Sequence, residues 1–178
     1  MVFKGKSGSG KSSLLNMITG FIRPTIGTIS YEGSPLVKSN LNELRKKIAY
    51  LPQQISFSSL EVKQFLELPF SFVFNKNLSP KKQRILEYFS LFDLKHDIFN
   101  SKMQEISGGE KQRVALISCL LLQRKILIMD EPVSALDHDA KVKVIDHLFG
   151  LDDLTLISAS HDPDWLAACN KIIDIDTT

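Results

Sequence analysis

The sequence has no apolar run long enough to cross a bilayer as a helix. Its longest candidate, VALISCLLL from Val114 to Leu122, stops well short of the roughly 18 residues that a span needs. Any membrane contact is therefore expected to come through another chain. Cysteine is scarce, and Cys119 and Cys169 lie too far apart for a metal-ligand or redox pair. That excludes a disulfide framework and points to free thiols in a reducing compartment. Charge of one sign is also lacking: 22 Lys+Arg against 20 Asp+Glu leave a formal charge of +2, too little to steer nucleic acid or an acidic partner. There is no internal repeat and no low-complexity segment. The first residues carry neither the apolar core of a secretion signal nor a Met-Gly acylation start, so no targeting segment is expected. What is there, 178 residues of which 43% are hydrophobic, suits one large globular domain or a domain with a lobe.

Hydrophobic periodicity divides the chain into alternating strands and helices. SLLNMITG puts Leu14, Leu15 and Ile18 on one helical face and closes at Gly20, with Pro24 blocking continuation. Strands are expected over Thr28–Tyr31, between Gly27 and Gly33, and over Ile48–Leu51, stopped by Pro52. From Ile55 to Glu105 the pattern turns helical, with a capping box of Ser58 and Glu61 and a second helix starting at Ser79-Pro80 that places Ile85, Phe89 and Phe92 on one side. Then EKQRVALISCLLLQ reads as a helix, KILIMD as an apolar strand, Lys141–Phe149 as a helix, LTLISAS as a strand, Pro163–Cys169 as a helix and KIIDID as a last strand. Fully apolar strands alternating with helices predict a parallel sheet covered on both faces.

Three motifs carry chemistry. GKSGSGKS satisfies the G-x-x-x-x-G-K-[ST] pattern with Gly5, Lys6, Ser7, Gly8, Ser9, Gly10, Lys11 and Ser12, and Ser13 follows at once. Small residues let successive backbone N–H groups converge on phosphate oxygens at a helix N-terminus. Lys11 then neutralises the terminal phosphates and Ser12 ligates Mg²⁺. ILIMDEP puts Asp130 and Glu131 at the carboxyl end of an apolar strand, where a parallel sheet presents its ligand-binding groups. There Asp130 can hold Mg²⁺ through water, while Glu131 can orient and deprotonate an attacking water.

The third motif, ISGGEKQR, has a plain structural reading: Ser107 as N-cap and Glu110 as its reciprocal partner, opening an apolar helix. Capping does not ask for Gly108 and Gly109, each of which lowers helix stability by roughly 1 kcal/mol relative to alanine. Two adjacent glycines at a helix start leave N–H groups open to an anion. One phosphate chain needs only one such helix end, and this sequence has two.

In these motifs and their order, with the short ISGGE between a phosphate loop and an acidic strand, the chain resembles the ATP-binding-cassette ATPases over almost its whole length. The resemblance implies an α/β phosphate-loop NTPase, its mostly parallel sheet flanked by helices, with a helical subdomain at 55–105 inserted into a core of 1–54 and 106–178. It accounts for the second anion site, because cassettes of the family pair head to tail and the signature of one closes on the ATP of the other. By position, Ser107 and Gly109 match the groups that contact γ-phosphate across the dimer, within a signature completed by Gly108 and Glu110. Ser134, Ala135, Leu136 and Asp137 (SALD) match the segment that couples the two sites. Gln53 matches the glutamine that senses Mg²⁺ and the attacking water, so Ser12, Gln53 and Asp130 form the implied metal set. His161 matches the switch histidine that holds Glu131 and the water in line. His96, His138 and His147 match nothing and are expected at the surface.

The implied activity is hydrolysis of ATP to ADP and phosphate, with ATP and Mg²⁺ bound, powering transport through a separate membrane-spanning subunit. The implied location is cytoplasmic, on the inner face of the cell membrane, with a second cassette as partner and no nucleic acid. Phe57, Phe65, Phe70, Phe72 and Phe74 are either the docking surface for that membrane subunit or the insert's own core. The short insert and the SGGEKQR and SALD pairing look most like small bacterial cassettes such as those assigned to iron export.

The sequence departs from the family in having Ile106 and Glu110 where leucine and glutamine are usual, and in lacking the first strands, one of which stacks an aromatic residue on adenine. A strand reduced to Met1–Lys4 is expected to anchor the loop poorly. Three readings stay open: a transport ATPase from a fragment or alternative start, a degenerate cassette with a regulatory or structural role, and a cassette acting on ribosomes or DNA. The last usually has two cassettes or a long coiled coil, and neither is present.

Overall fold

The computed structural model describes residues 1–56 and 59–176. Strand β1 (Val2–Lys4) leads through a glycine-rich loop into helix α1 (Lys11–Ile18), followed by a hairpin of β2 (Ser30–Tyr31) and β3 (Ser34–Pro35), then α2 (Leu41–Lys47) and β4 (Ile48–Leu51). Helices α3 (Val62–Ser71) and α4 (Lys82–Leu91) form the insert. The chain then runs through α5 (Gly108–Leu121), β5 (Ile126–Asp130), α6 (His138–Phe149), β6 (Thr155–Ala159), α7 (Pro163–Ala168) and β7 (Ile172–Asp174). The main sheet is parallel, in the order β4-β5-β6-β1-β7.

Apolar residues at successive strand positions point to opposite faces and bury both. Val2, Ala49, Leu51, Leu127 and Met129 join one cluster with α5, α6 and the insert, whereas Phe3, Ile128 and Ala159 join a second with Leu15 of α1. The apolar run of Val114–Leu122 falls in α5 up to Leu121, with Leu122 as its C-cap, and the helix is buried on nearly every side. No helix among the described residues is long and apolar enough to cross a membrane. Cys119 is free on that helix, where burial pushes its thiol up to about 12, and Cys169 is also free.

Expectations for two strands and for the first helix of the insert are corrected. The strand expected over Thr28–Tyr31 shrinks to Ser30–Tyr31 and pairs only with Ser34–Pro35, outside the main sheet. The two turn residues, Glu32 and Gly33, both have positive φ (49° and 77°), the left-handed geometry that two-residue hairpins require. β1, expected to be weakly anchored, lies between two strands, with Val2 opposite Ser158 on one side and Ile172 on the other. Pairing on both edges makes up for its shortness. In the insert, α3 begins at Val62 with Glu61 as its N-cap, and the Glu61 N–H donates to Gln64 Oε1 at 2.9 Å. The expected partner Ser58 and the candidate docking residue Phe57 lie outside the described residues.

Helix α4 begins at Lys82, later than the expected start at Ser79-Pro80, and buries Ile85 and Phe89, with its C-cap Phe92 buried on the same side. The apolar residues of the insert are continuous with the cluster on α5. Its phenylalanines divide: Phe65 is buried and Phe70 half-buried, while Phe72 and Phe74 are 58% and 63% exposed beside Val73. The Lys46 ammonium lies 4.6 Å from the Phe74 ring centroid, tying this apolar turn back to α2.

His138 and His96 are exposed as expected, whereas His147 is half-buried. Its ring lies edge-on to Tyr88 and Phe92 at 5.9 and 5.5 Å, joining α6 to α4, and Nε2 is buried without a hydrogen-bond partner among the described residues. Burial, aided by the Arg84 charge, holds this imidazole below the ordinary histidine range. A group whose folded-state pKa is depressed contributes fully above its unfolded value, about 6.5, and the contribution is lost as pH falls through the folded value. Lowering the pH from about 7.5 to about 5.5 is therefore expected to reduce the wild-type urea midpoint more than that of His147→Phe. Parallel curves for the two proteins would refute this.

Candidate functional site

Four parallel strands deliver their carboxyl ends to one place: Lys4, Leu51, Asp130 and Ala159 end β1, β4, β5 and β6. β1 opens into the loop Gly5–Gly10, where Gly8 and Gly10 adopt φ of 82° and 97°. A Cβ would meet nothing within 4 Å at either position, so backbone conformation and not space demands glycine there. The loop ends on the first turn of α1, whose N–H groups are those a helix leaves unpaired. Lys11 is buried, and its Nζ donates to the carbonyls of Gly5 at 2.7 Å and Lys6 at 2.8 Å. The ammonium thus bridges the open side of its own loop.

A cavity of about 470 Å³ gathers every loop residue from Gly5 to Ser13 except Ser9, together with Gln53, Asp130, Glu131, Ser134 and His161. A larger cleft of about 650 Å³, between α1, the hairpin and α2, is lined by residues such as Ile22, Ile29 and Leu36. Its Arg45 is committed to the Thr19 and Gly20 carbonyls. The convergent phosphate-binding and acid-base groups are in the smaller cavity.

Asp130 and Glu131 are both buried. Glu131 takes a left-handed φ of 50°, uncommon for a residue with a Cβ, and its N–H donates to the Ala159 carbonyl at 2.9 Å. His161 Nδ1 lies 3.0 Å from Glu131 Oε1, so the imidazole can donate to the carboxylate and fix its direction. Asp130 Oδ1 is buried with no hydrogen-bond partner among the described residues. Asp130 lines the same cavity as Ser12 and Gln53, and a carboxylate, a hydroxyl and an amide carbonyl are a hard-oxygen donor set that fits Mg²⁺. Among the described residues no three or more His, Cys, Asp or Glu side chains are grouped so as to hold a metal ion by themselves.

Ser107, Gly108, Gly109 and Glu110 do not line this cavity; they form the first turn of α5, and Ser107 and Gly108 are exposed. The capping box is present: the Glu110 N–H donates to Ser107 Oγ at 3.2 Å, and the Ser107 N–H donates to Glu110 Oε2 at 2.8 Å. Accepting that N–H holds the Glu110 carboxyl below the ordinary glutamate range, against the opposing effect of partial burial. A Cβ at Gly109 would lie 2.9 Å from the Ala135 carbonyl oxygen, so close packing against Ser134–Asp137 requires glycine there. Asp137 caps α6 by accepting the Ala140 N–H at 2.9 Å.

Two residues were not anticipated from sequence. Gln112 is buried on α5, donates from Nε2 to the Glu131 carbonyl at 2.7 Å and accepts the Ala135 N–H at 3.0 Å. A polar residue on the buried face of an apolar helix was the available signal. Asp176 accepts the Lys6 N–H at 2.8 Å; across so long a sequence separation nothing announces it.

The chain matches the ABC transporter family over residues 1–134. It is 34% identical to the lactococcin-A transport/processing ATP-binding protein LcnC of Lactococcus lactis subsp. lactis, over 97% of this chain and 24% of that protein. It is 31% identical to the probable iron export ATP-binding protein FetA of Escherichia coli (strain K12), over 96% of this chain and 76% of that one. The chain thus spans about a quarter of LcnC and three quarters of FetA. Among solved structures, it superposes on the dimeric bacterial ABC transporter cassette MJ0796 with a TM-score of 0.84 at 29% identity, covering 97% of this chain and 79% of that one. MJ0796 has also been solved as a dimer in a post-hydrolysis state bound to ADP and Pi.

Proposed function

The chain belongs to the ABC transporter family, and on that premise we propose that it is an ATP-binding and ATP-hydrolysing cassette. In this reading it pairs head to tail with a second cassette and drives a separate membrane-spanning subunit. The observation that carries the proposal is the split arrangement. The phosphate loop, Asp130, Glu131 and His161 converge on one cavity, while the Ser107–Glu110 turn faces outward elsewhere.

The loop N–H groups and the Lys11 ammonium hold and neutralise the terminal phosphates of ATP. Glu131 orients a water for in-line attack on the γ-phosphorus. As the new P–O bond forms and the bond to the ADP oxygen breaks, Glu131 takes the water's proton. His161, within 3.0 Å of that carboxylate, keeps it aimed. Ser12, Gln53 and Asp130 would hold Mg²⁺, which when bound offsets the charge spread over the phosphate oxygens.

The signature turn of the second cassette supplies further N–H donors to the γ-phosphate, so ATP joins the two chains and hydrolysis lets them part. Residues 1–54 and 106–178 act as the catalytic core and 55–105 as the lobe that meets the membrane subunit. The exposed Phe72, Val73 and Phe74 turn supports docking there, at the inner face of the cell membrane.

Sedimentation with and without Mg-ATP, beside phosphate release, tests the reading. The wild type is expected to hydrolyse ATP and to dimerise only with nucleotide. Lys11→Ala is expected to bind ATP roughly ten- to a hundredfold more weakly, because a buried charge-assisted contact is lost. A folded wild-type chain that stays monomeric and releases no phosphate overturns the proposal.

A further inference from the structure

Glu131 carries its carboxylate on a left-handed backbone, φ 50°, a conformation that persists only where surrounding contacts over-determine it. On one side its N–H donates to the Ala159 carbonyl of β6. On the other, its carbonyl accepts Gln112 Nε2 at 2.7 Å and Ser134 Oγ at 3.1 Å. Gln112 does more than satisfy one carbonyl, because its Oε1 accepts the Ala135 N–H at 3.0 Å. Its orientation is determined by its partners: Nε2 faces a carbonyl and Oε1 faces an N–H, so the flipped amide would make neither bond. One buried amide therefore clamps both ends of the Glu131–Ala135 segment to α5.

The same segment touches α5 a second time. Gly109 approaches the Ala135 carbonyl so closely that a Cβ would lie 2.9 Å from its oxygen. Gln112 follows Gly109 by three positions, within the next turn of the same helix. Close-packed backbone on one side and two hydrogen bonds on the other leave little freedom for the signature turn to move without the segment that carries Glu131.

We propose that Gln112 is a positioning residue that locks the left-handed backbone of Glu131 to the first turns of α5, so that displacement of the Ser107–Gly109 turn re-aims the Glu131 carboxylate of the same chain. This rests on the reading of Glu131 as the hydrolytic base and of the turn as a contact to nucleotide on a second cassette. The consequence is regulatory: nucleotide engaged across the interface by one chain's signature tunes that chain's own base, and the two sites of a dimer become coupled.

Two variants separate positioning from mere packing. Gln112→Met keeps length and removes both bonds, while Gln112→Glu keeps the acceptor for Ala135 and removes the donor to Glu131. Both are expected to lower kcat roughly tenfold or more through misplacement of the base, with the KM for ATP changed less than about twofold because the phosphate loop is untouched. The Hill coefficient of hydrolysis should fall toward one. Hydrogen exchange supplies a readout that does not depend on turnover or on a variant's folding. Ala135 is exposed, yet in the wild type its amide is expected to exchange roughly a hundredfold more slowly than in an unstructured chain.

In Gln112→Met the Ala135 protection should vanish while Val114–Leu120 stay protected. Unprotected Ala135 in the wild type, an unchanged kcat in both variants, or a loss of activity that only follows the unfolded fraction overturns the proposal. A wild type that does not hydrolyse ATP refutes the reading of Glu131 instead, and the exchange at Ala135 still reports whether Gln112 holds the segment.

Discussion

Glu131→Gln is expected to slow phosphate release roughly 10²- to 10⁴-fold, the range attached to a positioned general base, while ATP affinity changes by less than about twofold. The amide matches the carboxylate in shape and can still meet His161 Nδ1, 3.0 Å away in the native protein. It cannot take a proton from water. The left-handed backbone at this position suits glutamine as well as it suits glutamate, so folding should be unaffected. Because separation of two cassettes would follow hydrolysis, the variant should also accumulate as a nucleotide-bound dimer. Titration with ATP, phosphate release and sedimentation on the same preparation decide the matter. Release above roughly a tenth of the wild-type rate would mean that another group serves as base.

Trp165→Ala is expected to lower stability by about 3–5 kcal/mol, the range for deleting a large buried aromatic side chain. At the scaling for a chain of this size, the loss corresponds to a fall in Tm of roughly 6–20 °C. Trp165 has no exposed surface, packs edge-on against Phe149 at a centroid distance of 5.3 Å, and donates from its indole N–H to Ser158 Oγ at 2.8 Å. Ser158 is itself buried on β6, next but one to Ser160 and the loop that presents His161. The truncation opens a void and also strands a hydroxyl. Trp165→Phe should recover most of the volume but not the hydrogen bond, giving a smaller loss. The chain has one tryptophan, so circular dichroism must report the transition. A destabilisation below about 1 kcal/mol would show that the surrounding helices collapse into the gap.

What the sequence discloses about this molecule is local, and what it withholds is pairing at a distance. The phosphate loop, the acids after β5 and the capping box at Ser107 are legible because each depends on neighbours within a few residues. The strand Ile48–Leu51 appears with the predicted bounds because an apolar run stopped by proline has one good solution. Strand order is different: nothing in VFK says that it lies between TLISA and IID. His147 reads as a surface residue because it matches no motif, and only the arrival of Tyr88 and Phe92 from the insert half-buries it. The Gln112 bonds are illegible for the same reason, since a buried glutamine announces that it needs partners but not which ones. The insert looks like a separate lobe in sequence, yet its apolar residues share one cluster with α5. Helical periodicity identifies a buried face without naming what covers it.

The position of β1 also bears on the order in which the molecule can be assembled. The strand that carries the phosphate cradle finds its two neighbours in β6 and β7, with Val2 opposite Ser158 and Ile172, and the Lys6 N–H is tied down by Asp176. Contacts of such long sequence separation close late and slowly. A nascent chain that had left the ribosome only as far as α6 would possess every residue of the cradle and neither of the strands that hold it. The phosphate cradle, encoded ahead of β6 and β7, is completed only once both strands have been made.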